Sequence, residues 1–167
     1  MTKLKVTILL VALTFVCIIT SSAAQAKRPY TALRGLTATR VSVSVSNDVK
    51  FQMKSIGAGD FNVVSELRQL VESKLKDVGI SPNSSSDGPM LSVVVDIDMS
   101  NDEFTVTINY SDLVSLIRDP NSKFETVLWT KTAHPPTDDA AGLKSVVSTL
   151  MNQFDVERMA ASRADKN

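Results

Sequence analysis

The chain has 167 residues, 43% of them hydrophobic, with 18 basic residues balanced by 18 acidic ones. No basic surplus exists to neutralise phosphates, which argues against a nucleic-acid partner and against purely electrostatic adhesion to anionic lipid. One cysteine and one histidine exclude an intrachain disulfide and a Cys/His metal site.

Met1-Thr2-Lys3-Leu4-Lys5 gives a short positive start, Val6 to Ile19 an apolar run, and Ala24-Gln25-Ala26 small residues at a signal-peptidase position. The run is shorter than the ~18–20 residues a bilayer-spanning helix needs. Residues 1–26 therefore read as a cleaved export signal, and the expected location is the periplasm, with outer-membrane association as a further option. Cleavage removes Lys3 and Lys5 but no acid, so the remainder is slightly acidic. It also removes Cys17, the only cysteine. Lipid attachment wants a small residue before the cysteine, and Phe15-Val16 precede this one, so no lipid anchor is expected. No transmembrane helix is expected in the mature chain either.

Residues 27–40 are unperiodic and read as a flexible lead-in to a single domain, 41–156. Val41 to Ser46 alternates valine with serine, the pattern of a half-buried strand. Residues 47–59, with Phe51, Met53 and Ile56, read as a loop. Asp60 is the expected cap of a helix whose stripe is Val63, Val64, Leu67, Leu70, Val71, Leu75 and Val78. Gly79 and Ile80 mark its stop, and Ser81 to Pro89 reads as a loop.

Leu91 to Asp98 and Phe104 to Tyr110 alternate cleanly across a five-residue connection, predicting an antiparallel hairpin. The alternation runs on through Val114 and Leu116, with a bulge expected near Ser111-Asp112. Asp119 to Ser122 reads as a turn, and Phe124 to Thr132 as a strand containing Trp129. Thr137 or Asp138 is the expected cap of a second helix, with Leu143, Val146, Val147, Leu150 and Phe154 as its stripe. Residues 157–167 read as a polar tail. The expected fold is α+β: a two-layer β-α-β-β-β-α sandwich, its mainly antiparallel four-stranded sheet carrying two helices on one face and wet on the other.

Candidate chemistry is sparse. His134 has no second histidine or cysteine to pair with, and no Gly-x-Ser-x-Gly elbow is present, so it reads as a solvated loop residue. Asp96, Asp98 and Asp102 offer hard oxygen ligands in an acidic hairpin end, which makes them weak candidates for calcium. The EF-hand pattern fails there, with Asn101 and Thr107 where Gly and Glu belong. Gly57-Ala58-Gly59 is followed by no phosphate-loop lysine. Trp129 reads as a core anchor before a stacking platform. The uncharged strand Val41, Val43, Val45 leaves an unguarded sheet edge able to pair with another chain. No catalytic residue, cofactor or firm metal ligand is assigned.

The helix end Leu75-Lys76-Asp77-Val78-Gly79-Ile80, the strand Leu91-Ser92-Val93-Val94-Val95, then Leu128-Trp129-Thr130 and Leu150-Met151-Asn152-Gln153-Phe154 carry a resemblance. Their order and spacing resemble small Gram-negative envelope proteins, the PelC and TolB-N-terminal-like group with LptE and YajG among its relatives. The resemblance implies a non-enzymatic accessory subunit that binds a partner or forms rings at the envelope. The expected function is thus a periplasmic interaction module of an envelope assembly or export system, with an envelope protein or a second copy as partner. A small-ligand or glycan-binding protein using Trp129, Phe51 and the 47–59 loop is the alternative. A hydrolase using His134 or the hairpin carboxylates comes third.

Overall fold

Alternation makes Ala38–Val45 a strand, β1, with Val43 and Val45 buried and Ser44 exposed. It is followed by α1 (Asn47–Ser55), α2 (Val63–Asp77), β2 (Ser81–Asn83), β3 (Met90–Asp98), β4 (Glu103–Leu116), β5 (Asp119–Ala133) and α3 (Ala140–Arg163). The structure, a computed structural model, describes residues 33–55, 62–83, 88–116 and 118–163. The export signal of residues 1–26 and the expected Asp60 cap lie outside them.

The sheet has five strands in the order β2-β1-β3-β4-β5. β1 is parallel to both neighbours, while β3–β4 and β4–β5 are antiparallel. The α+β class holds, but the four-stranded antiparallel sheet with two helices does not: the sheet is mixed, and three helices stand among the described residues. Two elements are hidden in the sequence for physical reasons. β2 spans three residues of a turn-rich stretch and is held by backbone pairing, with Ser81 N–H donating to the Thr37 carbonyl at 2.8 Å. A strand that short has no side-chain period to read. α1 buries only Val49 and Met53, one i, i+4 pair, and starts where Ser46 Oγ accepts the Val49 N–H at 3.4 Å.

Helix starts differ from expectation by a residue or two. Asn62 caps α2, its Oδ1 accepting the Ser65 N–H at 3.1 Å. At the other end Gly79 N–H reaches the Lys76 carbonyl at 3.0 Å and Ile80 N–H the Leu75 carbonyl at 2.8 Å. With Gly79 at φ +76° and Ile80 buried, this is a Schellman stop. Asp139, rather than Thr137 or Asp138, caps α3: its Oδ1 accepts the Gly142 N–H at 2.7 Å. Asp138 instead accepts the Phe104 N–H at 3.2 Å and ties the helix entry to β4.

One face of the sheet carries the core. Leu91, Val93, Val95, Phe104, Val106, Ile108, Tyr110 and Trp129 pack against Val49, Leu67, Val71, Leu75, Leu143, Val147 and Phe154 of the helices. The opposite face is polar, as expected, with a row of Ser42, Ser92, Asn109 and Thr130 in register. Thr130 Oγ1 donates to Asn109 Oδ1 at 2.7 Å, and the Thr107 and Thr132 hydroxyls meet at 2.9 Å.

Both ends of the domain extend past the expected limits of 41 and 156. Leu33 and Leu36 are buried in the core, so the described part of the 27–40 lead-in contributes to the domain. α3 continues through the expected tail to Arg163 and buries Ala161. The hairpin bulge falls between Tyr110 and Ser111, after which β4 and β5 run on as an arm exposing Leu113, Phe124 and Val127. Among the described residues no helix is long and apolar enough to cross a membrane.

Candidate partner-binding groove

In a parallel strand, alternate residues send both N–H and C=O to the same neighbour. Arg40 N–H donates to the Pro89 carbonyl at 2.8 Å and Ser46 N–H to the Val95 carbonyl at 3.0 Å, so the even positions of β1 serve β3. The odd positions face the other way, where Thr37 accepts from Ser81. β2, however, pairs with β1 only over Ala38–Arg40. Val43 and Val45 therefore direct their N–H and C=O groups to a flank where no strand stands among the described residues.

A groove of about 560 Å³ lies at the start of this flank, lined by Arg40, Val41 and Ser42 of β1, Pro82 and Asn83 of β2 and Met90 of β3. Its wall is Arg68, Glu72 and Lys76 of α2. These three recur at four-residue steps beside the buried row Leu67, Val71 and Leu75, so helical geometry alone lines them up along the sheet edge. The opposite flank of α2 is committed to α3, through Glu66 paired with Lys144 and Lys74 Nζ donating to Asn152 Oδ1 at 3.3 Å. Three cations against one carboxylate make the groove basic in a chain whose overall charge is balanced. Arg40 donates through Nη2 to the Gly88 carbonyl at 3.2 Å, while its Nε is enclosed and meets no acceptor among the described residues.

The residues singled out from sequence are dispersed. Trp129 is 1% exposed; its ring meets Phe154 edge-on at 5.1 Å, and Nε1 donates to Glu157. Val43 and Val45 point their side chains into the core, and Val41 packs against it, so what β1 offers outward is backbone. Phe51 is 78% exposed on α1. Asp96, Asp98 and Asp102 sit at the β3–β4 turn, which uses its own polar groups. Ser100 donates to Asp98 Oδ1 through its hydroxyl at 2.7 Å and its N–H at 2.9 Å, and these bonds hold the Asp98 carboxyl below its ordinary range. Asp96 accepts the N–H of Ile97, and Asp102 takes φ 60° to complete the turn. No three acidic, histidine or cysteine groups are gathered to hold a metal among the described residues. His134, exposed at the end of β5, places Nδ1 3.2 Å from the Phe104 carbonyl and 3.8 Å from Glu103.

In the sequence, Arg40, Arg68, Glu72 and Lys76 look like ordinary surface charge. Their only signal is the 68, 72, 76 spacing beside the apolar stripe. That flank gains meaning only because β2 stops after three residues.

No known family matches the chain, and no curated protein does. Solved structures that are similar in part include the following two. An uncharacterised protein shares 13% identity over 78% of this chain and 96% of its own, with a TM-score of 0.32. A minor lipoprotein from Acinetobacter baumannii shares 10% identity over 74% of this chain and 92% of its own, with a TM-score of 0.29.

Proposed function

We propose that this chain is a non-catalytic interaction module of the bacterial envelope, exported by residues 1–26, that receives a protein partner along the unpaired flank of β1. The observation that carries the reading is the hydrogen-bonding direction of Val43 and Val45, whose backbone groups face a flank where no strand stands among the described residues, next to the groove lined by Val41 and Ser42. An open strand edge is a template for another chain: main-chain bonds supply affinity, and the flanking side chains supply selectivity. The helix wall on one side of that edge restricts what can enter, which distinguishes a docking groove from a bare edge. The accessory-subunit role expected from the envelope resemblance belongs to the same reading.

A photoreactive side chain at Ser44, on the open strand, tests it in intact cells that make the protein. A discrete cross-linked species is expected there and not from Asn121 on the arm. No product from Ser44, or the same products from both positions, would remove the groove as the docking site. N-terminal sequencing of the exported protein, expected to begin at Lys27, checks the compartment separately.

A further inference from the structure

We infer that the occupant of the β1–α2 groove is an extended segment of a partner protein carrying two acidic side chains four residues apart, with a neutral or basic residue between them. The inference rests on the strand-addition reading above and goes further by naming the chemistry of the partner.

Two spacings carry it. Arg68, Glu72 and Lys76 follow one another at four-residue steps along α2, a rise of about 6 Å per step. Side chains on one face of an added strand recur every ~6.7 Å. A strand added to β1 from Val41 onward thus presents successive same-face residues nearly in step with the three groups on the wall. The complementary order is acidic opposite Arg68, basic or neutral opposite Glu72, and acidic opposite Lys76.

The same charges argue against a second copy as the occupant. Two β1 edges meeting about a two-fold axis would bring the Arg68 and Lys76 rows of both chains together, and like charges across an interface disfavour the pairing.

The test uses the purified protein and two labelled octapeptides, Thr-Glu-Val-Lys-Val-Glu-Val-Thr and its charge-reversed form Thr-Lys-Val-Glu-Val-Lys-Val-Thr. Fluorescence anisotropy is expected to show the first binding at least about ten-fold tighter, with affinity falling as salt rises. In the double variant Arg68→Glu, Lys76→Glu, both changes on exposed positions, the preference should reverse. Amide exchange at Val43 and Val45 should slow when the first peptide is bound. Equal binding of the two peptides, or preference for the charge-reversed one, overturns the acidic assignment; slowed exchange at Val43 and Val45 in that case leaves strand addition standing. If those two amides already exchange as slowly as Val93 and Val95 in the free protein, the edge is occupied and both readings fall. A stable dimer at micromolar concentration by light scattering overturns the choice of a foreign partner.

Discussion

The indole Nε1 of Trp129 donates to the Glu157 carboxylate at 2.9 Å, and Lys131 Nζ closes on the same carboxylate at 3.0 Å. This contact joins the edge strand of the sheet to the last turns of α3. Trp129 is almost fully enclosed, so its N–H has little access to water and needs that acceptor. Glu157→Ala should lower the unfolding free energy by about 1–3 kcal/mol, the cost of stranding a buried donor. Glu157→Gln keeps an acceptor and should lose less. Truncation after Val156 also deletes Arg158, which donates to the Val78 carbonyl at 3.3 Å, and buried Ala161, so it should exceed both. Urea titrations of the three variants give the order directly; equal stability of Glu157→Ala and wild type would refute the anchoring role.

Gly142 sits in the first turn of α3 with the Thr137 carbonyl oxygen 1.9 Å from where a Cβ would stand. Gly142→Ala gains up to about 1 kcal/mol of helix propensity. Against that, the intruding methyl must displace backbone that Asp139 also holds, through the Gly142 N–H and the Thr137 hydroxyl at 2.8 Å. Overpacking costs of about 1–3 kcal/mol outweigh the gain, so the variant should melt lower than wild type. An unchanged or raised midpoint in calorimetry would show that the 137–139 segment yields freely.

Much of this architecture is legible in the sequence because side-chain periodicity reports burial. β3, β4 and the stripes of α2 and α3 bury one face each, and their apolar spacing indicates both their positions and their pairing. What escapes reading lacks such a face. β2 is held by backbone, α1 buries two residues, and the end of α3 is fixed by hydrogen bonds of Glu157 and Arg158, polar residues that look like tail in a sequence. The groove escapes for the same reason. Its distinguishing property is a direction of backbone hydrogen bonding, and its charged wall resembles any solvated helix face until the strand beside it is known to end at Asn83.

The Asp139 cap makes the protein acid-sensitive in a defined direction. The Gly142 N–H, then the Thr137 hydroxyl, hold its carboxyl below the ordinary carboxylate range. A depressed folded-state value means the unfolded chain takes up the proton first, so the stabilisation is present above about pH 4 and is lost as pH falls through the folded value. The stability gap between wild type and Asp139→Ala should therefore be constant near neutrality and close progressively on acidification. A gap that persists undiminished to the acid limit would show that the carboxylate charge contributes nothing to the cap.

Tyr110 imposes the opposite limit. Burial first, and the charge of Asp112 second, push its phenol up from 10.0 to about 12. In the unfolded chain the phenol ionises near pH 10, while in the folded protein it keeps its proton to about pH 12. Between those values the unfolded state binds fewer protons, so stability falls as pH rises. Tyr110 lies in the core beside Phe154, ring centres 6.1 Å apart, and Tyr110→Phe preserves that packing while removing the ionisable group. Denaturant unfolding at a series of alkaline pH values should show wild type losing stability faster than Tyr110→Phe above about pH 10. Parallel loss in the two proteins would assign the alkaline limit to other groups and leave the Tyr110 phenol without influence on it.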